Sequence, residues 1–213
     1  MREDSLAAST DRGTITAEGT RDQILAVSLR RFAADGFNGT SLNDIADEVG
    51  IRRPSLLYHF PSKETLYRAT ILSALTGWIE PLRDAATTVS QGWEQIERVL
   101  RSAFSFFEER PELVRLARRE AIDGGPILTN ELGTAIRPLF ARATRWLESE
   151  MDAGRLRRYD AAQLVITSYG AVLSYFSDAA LVTTLLETDP LAPSALKTRR
   201  EHVLDVLRTA YTA

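Results

Sequence analysis

Apolar residues recur along this chain with the period of an α-helix. Ile24, Leu25, Ser28, Leu29 and Phe32 line one face of a first helix over residues 21–35. Thr20 and Gln23 stand at capping-box spacing at its start, and Gly36 is its stop. Leu42, Ile45, Ala46 and Val49 then fall at i, i+3, i+4 and i+7, one face of a second, short helix. Thr40 or Ser41 supplies its hydroxyl N-cap, Gly50 ends it in the left-handed conformation, and Ile51 plugs the turn. A third helix follows over 52–59, with Pro54 in its first turn, where no N–H is needed. Two short helices joined by a glycine-containing turn form a helix-turn-helix, whose second helix can lie in a DNA major groove.

Pro61 and Ser62 open a long helix to about residue 88, with the stripe Leu66, Ala69, Ile71, Ala74, Leu75, Trp78, Ile79 and Leu82. Pro81 predicts a kink or a division in it. Downstream, Trp93, Ile96, Leu100, Phe104 and Phe107 form one stripe, and Leu113, Val114, Ala117 and Ala121 the next. A long helix carries Leu128 through Met151 and stops at Gly154; residues 164–186 and 196–211 give two more. Strand and hairpin signals are missing, and 189–193 (DPLAP) is a breaker. The expected fold is all-α, about nine helices in two domains. Residues 1–19 read as a disordered arm, 20–65 as the helix-turn-helix domain, and 66–213 as a helical ligand-binding and dimerisation domain.

Composition narrows the functions. At 213 residues and 44% apolar, the chain can bury a sizeable core. A formal charge of −3 argues against coating nucleic acid by bulk electrostatics. Between residues 20 and 63, six basic residues face five acidic ones, so any DNA contact depends on placement. Zero cysteines fit a reducing cytoplasm, and two histidines, His59 and His202, are too few and too far apart for a zinc site. No apolar run reaches about 18 residues, and the N-terminus lacks signal-peptide order, so the expected location is cytoplasmic, away from a membrane. No catalytic constellation, phosphate loop or nucleophile elbow stands out; neither enzyme activity nor a metal or cofactor is expected.

GTSLNDIADEVGI followed by PSLLYHFPSKETLY resembles the DNA-binding domain of the TetR family of bacterial transcriptional repressors. The matching residues are Phe32, Gly36, Phe37, Thr40, Ile45, Ala46, Gly50, Leu56, Tyr58, His59, Phe60, Ser62, Lys63 and Leu66, within residues 20–70. The chain departs from the family at Leu57, where an aromatic residue is common. Carried over by position, the resemblance implies a DNA-facing set of Ser41, Asn43, Arg53, Ser55, Tyr58, His59 and Lys63. Arg52 joins Arg53 at the start of the third helix, where an arginine can reach phosphate or bind guanine bidentately. Ser41 fits an N-cap equally, and His59 a packing position.

The resemblance also implies a homodimer on a near-palindromic duplex operator. The stripe Leu164, Ser168, Ala171, Val172, Tyr175, Ala179, Val182 and Leu186, with Leu196, Val203, Leu207 and Ala210, would form the intersubunit four-helix bundle. The downstream aromatics read singly as ordinary core. Together, Trp78, Phe104, Phe107 and Tyr169 can line a mainly apolar pocket for an apolar or aromatic effector. The rival reading is a helical protein-interaction adaptor that keeps the helix-turn-helix without reading DNA. Steeply salt-dependent DNA binding separates the two.

Overall fold

A computed structural model describes residues 17–87, 90–123 and 133–212, apart from a few side chains including those of residues 78–82. Most of the expected N-terminal arm, the glycines and proline after Asp123, and the stripe positions Trp78, Ile79, Leu82, Leu128 and Leu132 lie outside that description.

Among the described residues the chain forms ten helices and no strand. They are α1 (Ala17–Gly39), α2 (Leu42–Val49), α3 (Arg53–His59), α4 (Lys63–Thr87) and α5 (Gly92–Glu109). There follow α6 (Pro111–Ile122), α7 (Gly133–Asp152), α8 (Ala161–Ser177), α9 (Ala179–Leu186) and α10 (Pro193–Tyr211). The all-α expectation holds, with one helix more than the pattern suggested. The extra break is at Asp178, where α8 and α9 diverge by 76°. An uninterrupted apolar run cannot reveal that bend. α4 continues through Pro81 without division.

α1 starts at Ala17, before Thr20, so Thr20 is not its N-cap. The stop at Gly36 is real: its φ of 72° and ψ of 177° interrupt the helix before a last turn to Gly39. Buried Ile24, Leu25, Ser28 and Phe32 form the face of α1 that packs on α4 and α6. The Phe32 ring meets Tyr67 of α4 edge-on at 4.9 Å, and Phe37 meets the same tyrosine at 5.0 Å. Leu56, Phe60 and Leu66 close this core from α3, the turn after it and α4. The small helix-turn-helix thus rests on the larger bundle through α1 and the start of α4.

In the bundle, α5 supplies Phe104 and Phe107, which pack on Phe176 of α8 with ring centroids 6.1 and 5.8 Å apart. On α6 the buried positions are Leu113, Val114, Leu116 and Glu120, whereas Ala121 is exposed. The apolar stripe of α6 is therefore rotated from the predicted one, and it admits a carboxylate.

Candidate DNA interface and effector domain

The turn between α2 and α3 is built as its residues require. Ser41 caps α2, its hydroxyl accepting from the Asn43 N–H at 3.1 Å. Thr40, the alternative cap, instead donates its hydroxyl back to the Gly36 carbonyl at 2.7 Å, fastening the end of α1. Gly50 takes the left-handed conformation, φ 79°, and the Ile51 N–H returns to the Ala46 carbonyl at 2.9 Å. Arg52 caps α3 with its backbone, leaving its side chain free of that duty.

This geometry sorts the predicted DNA-facing residues. Asn43, Arg52, Arg53, Ser55 and Tyr58 are exposed. Tyr58 stands 85% exposed on α3, an unusual position for an aromatic ring without a partner surface. Leu57, the departure from the family pattern, is half-buried. His59 is half-buried with its ring edge-on to Tyr58 at 5.6 Å. Ser41 is occupied as a cap. Lys63, half-buried, donates to the Asn38 carbonyl at 3.3 Å and lies 4.8 Å from the centre of the Phe37 ring. Its charge thereby sits where α1 ends and α4 begins, beside the α4 N-terminus.

Electrostatics on this unit depend on a pairing that counting charges missed. Glu48 of α2 takes Arg30 at 2.8 Å and Arg31 at 2.6 Å, both from α1. The two hydrogen bonds, Arg30's first, hold the Glu48 carboxyl below its usual range. Two of the six basic residues are thus committed to joining α1 and α2. Arg52 and Arg53 have no ion-pair partner among the described residues, so α3 presents unneutralised charge. Arg21 lies over the Phe60 ring at 5.2 Å, adding a further exposed cation to the unit.

The proposed effector residues are not gathered in the same way. Phe104 and Phe107 are buried core, filling the space against Phe176. Tyr169 is half-exposed about two turns before Phe176 on α8. The side chain of Trp78 lies outside the described residues.

The sequence model described as "Bacterial regulatory proteins, tetR family" matches residues 24–70, and "Tetracyclin repressor-like, C-terminal domain" matches residues 93–207. The chain belongs to the TetR family. It is a DNA-binding transcriptional regulator, and the helix-turn-helix is its DNA-binding element. The HTH-type transcriptional regulator RutR of Escherichia coli K12 is 28% identical over 171 residues, covering 78% of each chain. The negative transcriptional regulator of the biofilm operon icaADBC, IcaR of Staphylococcus epidermidis, is 33% identical over 60 residues, 28% of this chain and 32% of IcaR. The ketosteroid transcriptional regulator KstR2 of Mycobacterium tuberculosis shares the fold, with a TM-score of 0.73 at 19% identity, covering 91% of this chain and 95% of that one. TetR-family membership accounts for the glycine-ended α2, the short α3 and the long α4 leading into the bundle.

Proposed function

We propose that the protein is a homodimeric repressor that holds a near-palindromic operator and leaves it when a small effector binds the C-terminal helices. The observation that carries the DNA half is the exposed, unpaired face of α3: Arg52, Arg53, Ser55 and Tyr58. These are residue types that reach phosphates and base edges in a major groove. Ser41, the N-cap of α2, and Asn43 in its first turn, with His59 and Lys63, flank that face for backbone contacts.

One recognition helix buries too little groove for strong specificity, which supports a two-fold dimer with recognition helices about 34 Å apart. The surface offers an interface. Ile166 of α8, Leu181 and Leu185 of α9 and Val206 of α10 are all exposed apolar side chains. Val203 and Leu207, also expected in that interface, are instead buried within the subunit. The stripe therefore divides between core and surface.

For the effector, an apolar or aromatic molecule entering beside Tyr169 would part Phe104 and Phe107 from Phe176. The proposed sign is repression, that of IcaR, which is described as a negative regulator. The test is a binding screen of the purified protein against DNA flanking its own gene, over a range of salt. Specific binding with a steep negative salt slope supports the reading. No specific binding to any fragment at any salt concentration would favour the adaptor alternative.

A further inference from the structure

Away from the α3 face, one cleft of about 310 Å³ is shared by the helix-turn-helix unit and the bundle. Its walls are Ala33 of α1, Arg118 and Arg119 of α6, Asp123 just after α6, and Asp178 at the α8–α9 corner. Arg115 stands at the edge, near Glu112 at 3.6 Å. Arg118 and Arg119 have no carboxylate within 4.0 Å among the described residues. Two carboxylates nevertheless line the same space. Among the described residues, the Asp178 carboxylate accepts the neighbouring Ser177 hydroxyl, at 3.0 Å, and takes no cation. A cleft lined by arginines at the end of α6 and by a carboxylate at the α8–α9 corner, with no ion pair between them, is complementary to a ligand carrying both kinds of partner.

Arg119 also reaches α1. Its guanidinium lies against Gly36 of α1, in the space a Cβ would fill. Arginine's planar fork takes a carboxylate through two parallel N–H bonds, and such charge-assisted bonds are stronger than neutral ones. The volume falls at the lower end of the roughly 300–1,000 Å³ typical of small-molecule sites.

We propose that this cleft binds a small organic anion whose carboxylate engages Arg118 and Arg119 while a donor group on the same molecule reaches Asp178. Such an occupant touches α1 and the bundle at once. It is separate from the aromatic cluster of α5 and α8. The proposal rests on reading the chain as a ligand-responsive regulator, but its test uses no DNA. Failure of the operator screen and failure of this site are therefore distinguishable.

The experiment is thermal unfolding of the full-length protein with glutamate, which carries carboxylates and an ammonium. Glutarate, which lacks the ammonium, inorganic phosphate and sodium chloride at matched ionic strength are run beside it. Glutamate at about tenfold above its Kd should raise Tm by roughly 3–6 °C, and glutarate by less. Arg118→Gln should abolish the rise, Asp178→Asn should remove the advantage of glutamate over glutarate, and Arg145→Gln on α7 should change neither. No rise beyond the chloride control at tens of millimolar, or the same rise in Arg118→Gln, overturns the site. Stabilisation by phosphate alone overturns the carboxylate assignment.

Discussion

The Tyr67 hydroxyl donates to Glu120 Oε2 at 2.8 Å, joining the start of α4 to α6 across 53 residues of sequence. Both side chains are buried, and Glu120 Oε1 has no hydrogen-bond partner among the described residues. Burial first, and then the bond to Glu120, push the Tyr67 hydroxyl well above its usual pKa, so it remains a donor. Phe32 and Phe37 hold the same ring from two sides. This is the polar joint between the recognition unit and the bundle.

Removing the donor should be costly because it strands a buried carboxylate. Tyr67→Phe is expected to lower stability by about 1–3 kcal/mol. Urea unfolding should show a lower midpoint with an unchanged slope. Combining it with Glu120→Leu, which removes the acceptor as well, should recover much of the loss. A Tyr67→Phe midpoint equal to wild type would show that the bond contributes nothing.

At the α3 face, Arg53→Ala should cost roughly 1–3 kcal/mol of operator affinity if the side chain reads a base, with relaxed preference at one position per half-site. Lys63→Ala should weaken all sequences alike and lower the salt slope, because its charge sits at the helix junction beside the α4 N-terminus. Competition binding with single-base operator variants separates the two. Unchanged affinity in the double variant would take α3 out of the interface.

The recognition unit was legible in sequence because each of its signals is local. A hydroxyl cap, the i, i+3, i+4 stripe of α2 and Gly50 all act within a few residues. What escaped was set by distant packing. Arg115, Arg118, Arg119 and Glu120 have the composition of a solvated face from which any one could turn inward, and it is Glu120 that does, four residues after buried Leu116 and seven after Leu113, on the buried face of α6. That spacing was the available signal. The pairing of Glu48 with Arg30 and Arg31 needs α1 and α2 side by side, and the Asp178 bend needs tertiary contacts. The aromatic cluster shows the converse: Phe104 and Phe107 were recognisable as inward-facing, but whether they surround a ligand or one another depends on Phe176.

Val206→Glu places a charge on an exposed apolar site of α10, whereas Val203→Glu buries one in the core. The first should give a folded monomer and the second a destabilised protein. Sedimentation combined with circular dichroism reads both. An intact dimer for Val206→Glu combined with Ile166→Glu would move the interface elsewhere.

Glu150, near the end of α7, is buried and accepts two bonds from Arg155 at 2.6 Å and one from the Gly92 N–H at 2.7 Å. The Arg155 bonds foremost, with Gly92, hold its carboxyl below the usual range. A depressed folded-state pKa means the unfolded chain takes up the proton more readily. The stabilisation is therefore complete above the ordinary Glu value of about 4.3 and fades as pH falls through the lower folded-state value. Glu150→Gln should flatten the loss of stability measured from about pH 6 to pH 3. A wild-type slope in that variant would show that other carboxylates carry the acid response.

Gly36 tests whether the α1 kink is a working part of the DNA unit. Its φ of 72° with ψ of 177° lies in a region essentially reserved for glycine, where another residue is strained by about 1–3 kcal/mol. A Cβ there would also meet the Arg119 guanidinium. The Gly36 carbonyl accepts the Thr40 hydroxyl at 2.7 Å and the Thr40 N–H at 3.3 Å, immediately before the Ser41 cap of α2. A change at Gly36 is thus passed along the backbone into α2 and α3, and through Arg119 into α6. Gly36→Ala should therefore lower stability and weaken operator binding. Arg119→Ala should relieve the clash but not the backbone strain, so the double variant should recover only part of the stability. Operator affinity is to be measured at a temperature where every variant is fully folded. Wild-type affinity for Gly36→Ala under those conditions would show that the kink serves folding alone.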